Sequence, residues 1–309
     1  MWFKQAQLFQ LNESIAYQPE AIAEKLQQLA FTPCLPSFPL SVGWAPPCES
    51  DNEEAPLVHA GNGFILLCLQ VEEKILPAAV IRQALQAKVK RIEKLEDRKV
   101  RQKDKLSLKD EVIMDLLPRA FTKMTRIYAY IDTKTRLLVL GTTSQTRTDQ
   151  FITLFKRSFT EGFHAFDLPK LGPVMTVWLK NKKHPGIFSV EESCLLQDPN
   201  HENRMIRCQH QDLFAQSIQT FINEGCLLKQ VALCWHERVG FVLADDFSLR
   251  SIKYLEGVKS AANEIEAENK QQQFDADFFI MSQTLSGMIE DLLKLFAYEE
   301  KEVKVAEPA

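Results

Sequence analysis

Between Val80 and Arg126 the chain carries fourteen basic residues against seven acidic ones, a local charge of +7. The whole chain sums to −4, so the remainder carries −11 and the two signs are segregated along the sequence. Ammonium and guanidinium groups at this density have the chemistry to neutralise phosphates, Arg through a bidentate fork and Lys as a point charge. Lys90, Lys94, Arg98 and Arg101 recur at helical steps. At about 100° per residue they fall within roughly 60° of the direction opposite an apolar stripe of Ile81, Leu85, Val89, Ile92 and Leu95. On one continuous helix they would span about 16 Å, enough for several successive phosphates. Glu93 and Glu96 lie towards the apolar side, within reach of Arg91 or Lys99, and leave the outer line acid-poor. Lys88, Arg91, Lys105, Lys109 and Arg119 complete the candidate phosphate-binding set. The competing reading is a solvated helix face, because Lys and Arg are ordinary surface residues.

Other constellations carry less. Cys208-Gln209-His210 and Cys234-Trp235-His236 place thiol and imidazole two residues apart, on one face if each run is a strand, and zinc accepts such ligands. The spacing matches no common zinc module, and cysteines beside Leu and Val are usually packed, so no metal is expected. Asp245-Asp246 and Asp275 with Asp277 lack the third acid or lysine of a metal-dependent nuclease and read better as turn or surface residues. No P-loop, G-x-S-x-G or H-E-x-x-H is present, so neither catalysis nor a cofactor is expected. The seven cysteines have no framework spacing and suggest reduced thiols in a cytoplasmic protein. No apolar run reaches the roughly eighteen residues of a membrane span, and no signal peptide is indicated.

The elements that must position these residues follow from pattern. A chain of 309 residues with 45% hydrophobic content can bury a sizeable core in two or three units. Residues 2–11 read as a strand, and Pro19 opens a helix to about Ala30. Five prolines with Gly43 and Trp44 argue against regular structure from Phe31 to Glu54. Leu57–Ala60 and Phe64–Val71 flank Gly61-Asn62-Gly63, read as a hairpin turn with its glycines at positive φ. The basic helix is expected from Pro77 to about Lys103. A second, capped by Ser107, runs from Leu108 to Leu117 and is stopped by Pro118. Together they predict a projecting basic helical hairpin over 77–118. Phe121, just beyond it, reads equally as an exposed interface or DNA contact and as the first inward residue of a strand. Strands over 124–131 and 136–141 and a helix over 148–158 follow. A linker is expected over 162–172 and an untyped element over 174–179. Next come strands over 188–196 and 205–210, a helix over 213–223 and a meander over 227–236, 238–244 and 249–255. A polar exposed segment covers 263–273, with a last strand at 277–281 and a closing helix at 284–297. Strands and helices do not alternate regularly, which favours α+β with mixed or antiparallel sheets. The predicted units are 1–76 with 119–161, the hairpin 77–118, and 162–309. From Tyr254 to Glu302 eleven acids face four bases, so this half should turn away from a polyanion.

Seven landmarks then identify a family. WFK at Trp2–Lys4, AFTPC at Ala30–Cys34, GWAPP at Gly43–Pro47, EEKILP at Glu72–Pro77, SLKDEV at Ser107–Val112, LLPRAF at Leu116–Phe121 and FDADFF at Phe274–Phe279 resemble the bacterial recombination-associated RdgC family, in the same order over nearly the full length. The resemblance implies a ring-forming homodimer closed head-to-head and tail-to-tail. It further implies binding of double-stranded DNA without sequence specificity through a basic hole, functional antagonism of RecA-promoted strand exchange, and a nucleoid-associated cytoplasmic location. The alternative is a protein-interaction regulator that contacts RecA or another recombination factor directly, with DNA binding secondary.

Overall fold

In the computed structural model the described residues are 1–12, 17–48, 55–159, 163–165, 171–201, 203–263 and 269–306. The elements, in order, are β1 (Gln7–Leu11), α1 (Pro19–Gln27), β2 (Leu40–Ala45), β3 (Val58–Gly61), β4 (Phe64–Lys74), α2 (Ala78–Glu96) and α3 (Gln102–Leu116). A 3-10 turn at Leu117–Arg119 leads into β5 (Thr122–Asp132), β6 (Leu137–Leu140), α4 (Gln145–Ser158) and β7 (Phe163–Ala165). The second half holds α5 (Gly172–Lys180), β8 (Phe188–Gln197), β9 (Met205–Cys208), α6 (Gln216–Asn223), β10 (Leu227–Trp235), β11 (Val239–Ala244), β12 (Leu249–Tyr254), α7 (Glu256–Asn263) and α8 (Lys270–Ala306). The class is α+β. The strand pairs of both sheets are antiparallel, and parallel pairing appears among the described residues as an isolated bridge, Ala30 to Trp44.

The first sheet runs β2-β4-β5-β6-β1-β7, with β3 also beside β4; the second runs β12-β11-β10-β8-β9. Period-two alternation sorts β4 and β5 onto two covered faces. Ile65, Leu67, Leu69, Ile127, Ala129 and Ile131 pack in one cluster with Ile22 and Leu26 of α1 and Phe151 and Phe155 of α4. Leu66 and Tyr130 point the other way, into a cluster shared with Phe278, Leu285 and Ile289 of α8 and with the inner face of the second sheet. α8 therefore fastens the two sheets together. The Tyr130 and Ser286 hydroxyls share a hydrogen bond of 3.0 Å, and Trp235 Nε1 donates to Asp291 at 3.1 Å. The sheets also meet directly at the Ala6–Leu249 bridge.

Several expectations are corrected. The proline-rich connection contains a strand, β2, and Gly43 is the reason it fits: a Cβ there would lie 2.4 Å from Phe31 Cα. In the β3–β4 turn Asn62 (φ 51°) and Gly63 (φ 83°) take the positive angles, while Gly61 stays in the strand. α2 stops at Glu96 rather than Lys103 because Asp97 turns left-handed, at φ 46°. α3 starts at Gln102, so Ser107 lies inside it and caps nothing. The first strand shortens to Gln7–Leu11, and the helix expected from 213 begins at Gln216. Residues 174–179 belong to α5. Asp277–Met281 is helical, its apolar residues being the first turns of the stripe that α8 continues. Most of the expected linker lies outside the described residues, and 163–165 pair with β1. Of the polar segment, 264–268 lie outside them as well, and α7 precedes it.

Candidate nucleic-acid interface

Two helices that pack chiefly on each other cannot bury much. α2 has no buried residue, and α3 buries only Val112. Ile81, Leu85, Val89 and Ile92 are half-buried along α2, as are Leu108, Ile113 and Leu116 along α3. Leu95, expected in that stripe, is 75% exposed. The reversal at Asp97 is closed by Val100, which is buried and whose N–H donates to Glu93 Oε1 at 3.1 Å. Across the two helices Lys88 Nζ meets Glu111 at 2.8 Å and Asp115 at 3.5 Å. The hydrogen bond to Glu111 raises the Lys88 pKa, against the effect of desolvation, and the charges of Glu111 and Asp115 add to it.

The expected basic line is therefore broken. Lys90, Arg91 and Lys94 lie exposed on α2, but Arg98 is in the turn and Arg101 is the N-cap of α3. Arg98 pairs with Glu96 at 2.7 Å and reaches Asp104 at 4.0 Å, so its charge is answered locally. Lys109 is exposed and Lys105 half-buried on α3; Arg119 is exposed in the 3-10 turn. Among the described residues Lys90, Arg91, Lys94, Arg101, Lys105, Lys109 and Arg119 have no ion-pair partner within 4.0 Å, nor do Lys99 and Lys103, which sequence reasoning left out. Their omission followed from placing both on a helix that does not extend that far.

Phe121 is 85% exposed, which rules out the inward reading. Its carbonyl accepts from Ile75 N–H at 2.7 Å, and Ile75, Val80 and Met124 are exposed near the base of the helix pair.

The other constellations are accounted for by the fold. His210 and His236 lie past the ends of β9 and β10 with φ of 53° and 48°, so the same-face geometry that zinc would use does not form. Among the described residues no three potential metal ligands gather. Asp245 binds Lys229 at 2.7 Å, and Asp246 accepts from the Ser248 N–H and hydroxyl in a turn. Asp275 lies 3.3 Å from His59, and Asp277 2.9 Å from the Met1 ammonium. No helix among the described residues is long and apolar enough to cross a membrane.

Comparison with known proteins gives a family model described as "Putative exonuclease, RdgC", which matches residues 1–299. The chain is also similar to proteins named "Recombination-associated protein RdgC". That of Halorhodospira halophila is 35% identical over 302 residues, 97% of this chain and 99% of the relative. That of Yersinia enterocolitica is 34% identical over the same shares, and that of Edwardsiella ictaluri 35% identical over 95% of this chain and 97% of the relative.

Proposed function

This chain belongs to the RdgC family of recombination-associated proteins, and from that premise we propose that it binds double-stranded DNA without sequence specificity through the α2–α3 pair, acting as a projecting basic hairpin. The observation that carries the reading is the set of exposed cations with no acidic partner, Lys90, Arg91, Lys94, Arg101, Lys109 and Arg119, on the only strongly basic stretch of a chain whose remainder is acidic. Phosphate contacts of this kind give affinity without base information. In this reading two copies close into a ring around the duplex, with the hairpin, 1–76 with 119–161, and 162–309 as its working units. The ring restrains RecA-promoted strand exchange by occupying DNA in the nucleoid. The role is non-enzymatic, in contrast to the family description; release of acid-soluble nucleotides in magnesium or manganese would overturn that part.

The test is a salt titration on random-sequence duplex. Changing Lys90, Lys94, Arg101 and Lys109 together to Ala should lower the log–log salt slope by roughly 0.9 for each phosphate that is no longer neutralised, about 3 to 4 in all. An unchanged slope and affinity would reject the hairpin as the DNA surface.

The exposure of Phe121 favours a second reading, direct contact with RecA or another recombination factor. Phe121→Ala separates the two. If duplex affinity holds while inhibition of strand exchange disappears, protein contact is the primary activity. If both are retained, the clamp reading needs no protein partner.

A further inference from the structure

The second sheet is covered by helices on one face only. Its other face is a groove of about 760 Å³ with residues of β8, β10, β11 and β12 along it, within the range of about 300–1,000 Å³ common for ligand sites. Small residues, among them Ser193, Ala232, Gly240 and Ser251, line much of it.

Three backbone irregularities surround this groove. Val231 pairs with Cys194 and Leu233 with Val190, so Glu191, Glu192 and Ser193 together oppose Ala232 in an enlarged bulge that brings both glutamates to the groove. On the opposite side the register shifts between Gly240 and Val242, and Ser251 sits at φ 50°. At one end the β10–β11 turn holds His236 (φ 48°) and Glu237 (φ 54°), where Asn-Gly would be the relaxed choice. Bulges and left-handed side-chain-bearing residues cost stability and tend to be kept where they aim a side chain. Here what they aim is acidic. Glu191, Glu192 and Glu237 face a single lysine, Lys253, with His210 beside them, a net −2 with the histidine neutral. That field is felt at Cys234 in the lining: after burial itself, the charge of Glu191 contributes to raising the thiol pKa.

Gly240 adds an independent observation. Its φ is not positive, and a Cβ there would meet nothing within 4 Å. Glycine here sits at the register shift with β12, and the open space above it leaves room for close approach from outside the chain.

We propose that the groove binds an extended peptide segment of a partner protein carrying lysine or arginine, its backbone passing over Gly240 and its cations meeting Glu191, Glu192 and Glu237. The same acids repel nucleic-acid phosphate, so this surface goes beyond the DNA-binding reading and stands apart from the hairpin.

The test uses the full chain, isotope-labelled for NMR, with two blocked heptapeptides as probes. One alternates Lys or Arg with Gly or Ala; the other has Glu at every cationic position. The cationic peptide should shift the amides of Ser193, Gly240 and Ser251, and the acidic one should leave them in place. Gly240→Val should leave the melting temperature unchanged or higher yet weaken the cationic peptide at least tenfold. Glu191→Gln with Glu237→Gln should weaken it similarly, with the salt slope for duplex DNA unaltered in both variants. Equal binding of both peptides, or shifts that bypass Gly240, would overturn the proposal. So would conversion of a dimer to monomers by Gly240→Val in sedimentation, since a second copy would then be the occupant.

Discussion

Asp97 holds a backbone conformation that costs a residue with a Cβ, φ 46°, and by doing so ends one helix and aims the next. The left-handed region is open to glycine at little steric cost. Asp97→Gly should therefore stabilise the protein by about 0.5–1 kcal/mol, seen as a higher melting temperature. It also removes an acid beside Arg98 and Lys99, so duplex affinity at low salt should rise in the same variant. A fall in both quantities would mean that the Asp97 side chain, not its backbone, holds the turn. Lys88 teaches the complementary lesson. By composition it is one more cation, but Glu111 and Asp115 hold it between the two helices, where it serves the pairing rather than the surface. Lys90, two positions on, faces solvent. Phe121 was ambiguous in the sequence because a residue entering a strand can point either way; its place between the 3-10 turn and β5 leaves it exposed.

At the scale of elements, the sequence was legible wherever periodicity ran uninterrupted. The β10–β11–β12 meander, the β3–β4 hairpin and the α1 start at Pro19 stand close to where pattern places them. The end of α2 was not legible, because Arg98 to Lys103 are mostly good helix formers and no glycine marks the stop. Two of the four residues in the proposed line thus moved from a helix face to a turn, and Arg98 gained acidic neighbours. β2 was hidden by Pro39 and Pro46, which bracket the strand without entering it, a placement proline tolerates. The start of α8 read as a strand because Phe278, Phe279, Ile280 and Met281 form a short apolar run, which periodicity cannot assign by itself. The one trace of the bulge in the sequence is the polar run Glu191-Glu192-Ser193, which breaks the alternation of β8 without saying how the backbone accommodates it.

At the scale of the whole molecule, the contact between Tyr130 and α8 links the first sheet to the last helix. Burial pushes the Tyr130 phenol well above its ordinary value, opposed by the hydrogen bond with Ser286, and burial raises Tyr254 too. In the unfolded chain both ionise near pH 10. Stability from these groups is thus intact below about pH 10 and declines as pH rises beyond it. Tyr130→Phe should cost about 1 kcal/mol at pH 7 through removal of the hydrogen bond. Above pH 10 that deficit should narrow, by up to about 1.4 kcal/mol per pH unit, in denaturant titrations across the alkaline range. A constant deficit would place the phenol in water. The same helix imposes an order on synthesis. The face of the first sheet that bears Leu66, Tyr130 and Val139 is finished when Asp132 and Leu140 leave the ribosome, yet the helix that covers it begins only at Lys270. At about 5–20 residues per second the stretch from Leu140 to Lys270 takes roughly 6 to 26 seconds to emerge, a window in which that apolar face waits for its cover.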